Sequence, residues 1–188
     1  MRNILIFCLL SLALNAASQD SNLEPLTYSE VVKLDSSIQA SELYFRARSW
    51  FAEEYRSAQD VIQMEDKENG QIIGKGNMQY TSDIFVGSEG TKGWIRYKVK
   101  IVVKQGRYKY EITDFIHEGN PYNPGGQFSF GLITNSVPCP YKFKWSTKKW
   151  GDKVWLDIKE TIAAKAPSMI ESLKKAMSHA SVSGSNDW

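Results

Sequence analysis

Few residues in this 188-residue chain have the chemistry of a catalyst. His117 and His179 are its only histidines, and neither has a second histidine or a cysteine at ligand spacing, so the pattern implies no metal site. His117 with Asp114 and Glu118 has the composition of an acid–base cluster. On a strand, however, Asp114 and His117 point to opposite faces. Cys139 lies between Pro138 and Pro140, and a nucleophilic role would need a histidine brought to it by the fold. Ser129, in Gly126-Gln127-Phe128-Ser129-Phe130-Gly131, is one residue out of register with a nucleophile elbow. Gly74-Lys75-Gly76 lacks the third glycine of a phosphate cradle, and its two glycines suit close approach of a bulky ring to a strand. Asp66, Glu68 and Asn69 miss the spacing of a calcium loop. No catalytic residue and no cofactor follows from these patterns.

Two other groups of residues suit binding. Tyr122, Phe128, Phe130, Tyr141, Phe143, Trp145 and Trp150 concentrate in a proline- and glycine-rich stretch, residues 118–150. Connections of that length without regular structure are uncommon unless they serve function. Packed on the core, the rings are a structural cluster; at a rim or lid beside the last helix, they offer faces to an apolar molecule, a sugar or a partner protein. The second group is a basic face: Arg96, Lys98, Lys100, Lys104, Arg107 and Lys109 share one side of a hairpin, with Glu111 the only expected offset. A solvated face that discourages edge pairing is one reading of it, a site for anionic polymers the other.

Certain elements must position these groups. Thr27–Leu34 reads as a strand, with Glu30 an exception on its apolar face. Ser36 and Gln39 form a capping-box pattern before a helix whose stripe is Ala40, Tyr44, Ala47, Phe51, Tyr55 and Ala58, widened by Leu43 and Trp50. Glu42, Arg46, Ser49, Glu53 and Arg56 form its expected wet side. Val61–Glu65 and Gln71–Tyr80 flank Asn69-Gly70, a strong hairpin signal. Trp94–Lys104 and Arg107–Phe115 alternate regularly around Gln105-Gly106. A two-residue turn there sets Lys100 opposite Glu111 and Tyr97 opposite Asp114. Gln127–Ile133 and Tyr141–Trp145 have the character of short strands. From Lys153 to Ala180 one helical stripe keeps its phase through Pro167, predicting a single kinked helix or two nearly in line.

The N-terminus predicts an address. Arg2 precedes an apolar run from Ile4 to Leu14, with small residues at Ala16, Ala17 and Ser18. This is the pattern of a cleavable signal peptide, residues 1–18, and is too short for a membrane span. Cys8 sits inside the apolar run, so no lipoprotein is implied. Cleavage leaves a single domain, residues 19–180, and a disordered tail, 181–188, in a secreted or periplasmic protein with Cys139 as sole cysteine. No internal disulfide is then available, and packing of the aromatic residues must supply stability. The formal net charge of +2 gives no argument for a nucleic-acid partner.

The order β-α-β-β-β-β-α describes an α+β fold: one antiparallel sheet with two helices on one face and a long C-terminal helix. Tyr44-Phe45-Arg46-Ala47-Arg48-Ser49-Trp50-Phe51, Ile73-Gly74-Lys75-Gly76 and Tyr110-Glu111-Ile112-Thr113-Asp114-Phe115-Ile116-His117 occur in that sequence order. Together they resemble a bacterial family of unknown function described as having a TATA-binding-protein-like (TBP-like) fold, found mostly in exported proteins of Bacteroidetes. The resemblance covers roughly Thr27–His117. It implies the TBP-like, helix-grip-like arrangement and brings no catalytic residues with it. The expected function is a non-enzymatic binding or interaction module of the cell envelope, with an apolar or carbohydrate ligand or an envelope protein as partner. The alternatives are an envelope hydrolase using His117 or Cys139, and a structural accessory subunit of an envelope complex.

Overall fold

The computed structural model describes residues 23–55, 57–82, 89–123, 126–144 and 146–179. The signal-peptide reading, the tail and Trp145 lie outside them. In chain order the elements are β1 (Tyr28–Lys33), α1 (Ala40–Tyr55), a short α2 (Ala58–Val61), β2 (Ile62–Asp66), β3 (Gln71–Tyr80), a 3₁₀ turn (Glu89–Thr91), β4 (Gly93–Lys104), β5 (Arg107–Gly119), β6 (Gly131–Leu132) and α3 (Lys148–Ser178). All strand pairs are antiparallel, in the order β1-β5-β4-β3-β2, with β6 against the far end of β5. The α+β reading holds. No helix among the described residues is long and apolar enough to cross a membrane.

Strict alternation along β4 buries Ile95, Tyr97, Val99, Ile101 and Val103 and turns Trp94, Arg96, Lys98, Lys100 and Lys104 outward. The two helices cover the inner face. Trp50 and Phe51 from α1 and Trp155, Ile158, Ile162 and Leu173 from α3 are fully buried against it. Each such side chain contributes roughly 1.5–3 kcal/mol by leaving water. The β3 glycines make this approach possible. A Cβ on Gly74 would lie 2.4 Å from the Phe51 ring, and one on Gly76 would lie 2.5 Å from the Tyr97 ring.

The β4–β5 turn is two residues long, and Lys100 does face Glu111. Three residues further the register breaks: Arg96 pairs with Ile116 and Lys98 with Thr113. Two residues of β5 therefore oppose Tyr97, a β-bulge at which Asp114 adopts φ 54°. The extra residue reverses the phase of β5. Before it Tyr108, Tyr110 and Ile112 face the core; after it Phe115 and His117 do.

Four local expectations change. α1 begins at Ala40, and the Asp35 carboxylate, accepting from the Ser37 N–H at 2.8 Å and hydroxyl at 2.7 Å, organises the turn before it in place of a Ser36 capping box. Arg46 belongs to the interior: its guanidinium donates to Met177 O at 2.8 Å and to Glu42 at 3.0 Å, satisfying a carbonyl that the last turn of α3 leaves open. α3 starts at Lys148, five residues earlier than the apolar stripe predicts, because Thr147 caps it by accepting from Trp150 N. It runs continuously through exposed Pro167 for about 46 Å. Finally, residues 141–144 form no strand; of the two short strands expected, β6 exists as two residues.

Glu30 is explained by the helices. On the inner face of edge strand β1 it accepts from Tyr110 Oη at 3.0 Å and from Lys174 of α3 at 2.6 Å, which holds its carboxyl below the usual range.

Candidate binding site

The aromatic residues of the 118–150 segment do not form one surface. Phe130, Phe128, Phe143 and Trp150 pack together, with Phe130 at the centre: its ring lies 4.7 Å from Phe143 and 6.0 Å from Trp150. Phe130 is buried, and its neighbours are half-buried beside the start of α3. Tyr141 stands edge-on to Trp155 and donates to Leu132 O at 2.6 Å. Tyr122 is apart from both groups and 89% exposed.

His117 is the hub joining this cluster to the sheet. Its side chain is wholly buried, edge-on to Tyr80 at 4.9 Å and to Phe130 at 5.8 Å. Both ring nitrogens are used. Nδ1 accepts from Phe130 N at 3.2 Å, which makes Nε2 the protonated nitrogen, donating to Thr91 O at 2.9 Å. Burial pushes the imidazole down to about 4, so it is neutral at physiological pH. Asp114, the other member of the supposed acid–base pair, lies on the opposite face with Lys98 at 2.6 Å. Cys139 is buried near Asp152, which accepts from its backbone N–H at 3.1 Å, and burial raises the thiol above its ordinary value.

The basic face is less basic than its sequence implies. Arg96 pairs with Glu118, Lys98 with Asp114, and Lys109 with Glu111 at 3.7 Å. Glu111 was the one offset expected. The bulge adds the other two, because the phase reversal in β5 carries Asp114 and Glu118 outward. Lys100, Lys104 and Arg107 have no carboxylate partner among the described residues.

At the end of the sheet away from the hairpin turns, a concavity of about 240 Å³ lies between Trp94 and Tyr122, with Gln79, Asn120, Asn123 and Lys92 in its wall. Trp94 is 42% exposed and Tyr122 89%. Gly93 is held against Glu118–Asn120 so closely that a Cβ would meet Glu118 O at 2.0 Å, which fixes the start of β4 beside the chain leaving β5. Asn120 Oδ1 accepts from Tyr122 N at 3.0 Å and shapes the turn that presents the tyrosine. The Gln79 amide, across the strand pair from Trp94, has no side-chain hydrogen-bond partner among the described residues. Trp94 and Gln79 are absent from the candidates read in the sequence. An outward tryptophan in a lysine-rich strand, followed by an asparagine-rich turn, was the available signal.

A larger open groove of about 1180 Å³ lies between the first turns of α1 and the two hairpin turns, bordered by Tyr44, Phe45, Arg48, Glu65 and Val103. Two of its polar side chains are spent on each other, Arg48 and Glu65 at 2.8 Å, and Phe45 is its one largely exposed ring. The smaller concavity offers two exposed rings and, in Gln79, an amide with no side-chain hydrogen bond among the described residues.

Residues 28–118 match DUF4468, a domain of unknown function with TBP-like fold. Among solved structures, a DUF4468 family protein from Bacteroides ovatus ATCC 8483 is similar at 14% identity and TM-score 0.50, over 84% of this chain and 89% of that one. A TBP-like protein from Parabacteroides distasonis ATCC 8503 is similar at 15% identity and TM-score 0.48, over 80% of this chain and 93% of that one. A comparison with curated proteins finds no match. The DUF4468 match ends at Glu118, so Tyr122 and the aromatic cluster follow it, whereas Trp94, His117 and the basic strands lie inside it.

Proposed function

We propose that this chain is a non-enzymatic binding module of the cell envelope, taking a carbohydrate at the concavity between Trp94 and Tyr122. The observation that carries the reading is the pair of exposed rings flanking an amide-lined hollow. Sugar rings present apolar C–H faces that stack on aromatics and hydroxyls that pair with amides, so this combination matches their chemistry. The side chains a hydrolase would recruit are committed elsewhere: both nitrogens of His117 hold backbone groups, and Cys139 is a buried thiol with a raised pKa. Export by the signal peptide over residues 1–18, with a mature chain beginning at Gln19, belongs to the same proposal; intact mass of the exported form tests it.

The binding test is calorimetric titration against a panel of neutral and acidic oligosaccharides, with Trp94→Ala and Tyr122→Ala beside the wild type. Tyr122 is too exposed to matter for folding, so its substitution should leave the melting temperature in place and weaken binding about tenfold, the worth of one stacked ring. A panel that binds nowhere, or binding indifferent to both substitutions, would end the proposal.

A further inference from the structure

We infer that the sheet face opposite the helices carries an acidic polysaccharide, running from the Trp94 concavity along β4 to the cations at the β4–β5 turn. This rests on the sugar-binding reading of that concavity and specifies its ligand.

Among the described residues the helices pack on one face only, and the outward side chains of β1, β3, β4 and β5 form a surface on the other. From Trp94 to Lys104 it extends about 33 Å along one strand. After the pairs with Glu111, Asp114 and Glu118 are taken out, Lys33, Lys75, Lys100, Lys104 and Arg107 remain in excess on it. Lys75 of β3 lies directly opposite Lys98 of β4, whose own charge Asp114 already meets. At the turn Lys104 faces Arg107, which in turn faces Lys33 of β1. Like charges directly opposite across strands are unfavourable in the free protein. Lys75, Lys33, Lys104 and Arg107 have no carboxylate partner among the described residues, so an anionic occupant would relieve the repulsion at the turn and supply Lys75 with a counter-charge.

The chemistry of the occupant follows from what else the face holds. A second copy of the chain would set positive charge against positive charge. Single-stranded nucleic acid is gripped by successive stacking rings, and on these strands Trp94 is the one aromatic residue facing outward. Between the cations lie Gln71, Asn77 and Gln79 with half-buried Ile73, Val102 and Ile116, a mixture suited to hydroxyls and C–H faces. The proposed export signal also places the chain where acidic polysaccharides are met.

The test compares polymers that share one backbone. Carboxymethyl dextran should bind the full chain at least about tenfold more tightly than neutral dextran, and the difference should vanish as salt rises toward 1 M, where screening reaches about 3 Å. Lys75→Glu with Lys100→Glu, and separately Lys104→Glu with Arg107→Glu, should bring the acidic polymer down to the neutral level at an unchanged melting temperature. Trp94→Ala should weaken both polymers. Equal binding of the two polymers, or charge reversals without effect, overturns the inference and leaves the sugar site standing. A single-stranded DNA of matched charge that binds as tightly as carboxymethyl dextran also overturns it, since charge alone would then be read. Loss of every polymer only on Trp94→Ala, with no acidic preference, separates the two readings in the same experiment.

Discussion

Acidification should destabilise this fold through one residue well before its carboxylates protonate. His117 is fully buried, hydrogen-bonded to Phe130 N and Thr91 O, and kept neutral by that burial, which lowers its pKa to about 4 in the folded chain against 6.5 when unfolded, although the bond to Thr91 O works the other way. The folded pKa is the lower one, so the unfolded chain binds the extra proton. The contribution of the neutral ring is therefore intact above about pH 6.5 and is lost as pH falls through the interval from 6.5 to 4. At 1.36 kcal/mol per unit the full loss is about 3.4 kcal/mol, of which about 2.5 kcal/mol falls between pH 7.5 and pH 4.5. That is a large share of the 5–15 kcal/mol that typically holds a domain together. Glu30, Asp35 and Asp66 have lowered folded pKa values and act in a separate window, losing their contributions as pH falls below about 4.5. Urea unfolding of the wild type and of His117→Phe across pH 7.5 to 4.5 isolates the histidine. The variant should be weaker at pH 7.5, because the Thr91 carbonyl and the Phe130 N–H lose their partner, but nearly flat with pH where the wild type slopes. Parallel curves, or an imidazole resonance of His117 titrating near 6.5, would refute the reasoning.

Gly74→Ala should cost about 1–3 kcal/mol, since the new methyl would lie 2.4 Å from the Phe51 ring, while Lys75→Ala beside it on the outer face should stay within about 0.5 kcal/mol; urea midpoints decide. Arg46→Ala should cost about 2 kcal/mol and speed amide exchange in the last turn of α3, because Met177 O loses its donor; unchanged exchange there would contradict the assigned contact. Cys139 should react with iodoacetamide at least about tenfold more slowly in the native chain than in urea, given its burial and raised pKa, and equal rates would show an accessible thiol.

Periodicity alone carried much of the architecture. The 3.6-residue stripe through Trp155, Ile158, Ile162, Ala166, Met169 and Leu173 keeps its phase across Pro167, and the two-residue alternation of β4 names its buried residues one by one. Both signals are local, since burial on one face repeats at the period of the element, and the resemblance over Tyr44–Phe51, Ile73–Gly76 and Tyr110–His117 could rest on them. The glycines of β3 were legible for the same reason: two on one face leave room for a ring.

What only the tertiary structure decided depends on contacts between distant segments. The bulge at Asp114 cannot be read from alternation, because it is a mismatch in count between two strands. It moves His117 into the core and sends Asp114 and Glu118 out to pair with Lys98 and Arg96. Arg46 looks solvated on its own helix and is buried because the end of α3 needs a donor. Tyr122 and Trp94 meet at one hollow because Gly93 fits against the end of β5 with no room for a side chain, an approach that neither segment encodes by itself. Sequence determines which residues want burial and at what period; the register between strands, and the backbone closeness that sets it, determines which of the remaining side chains share a surface.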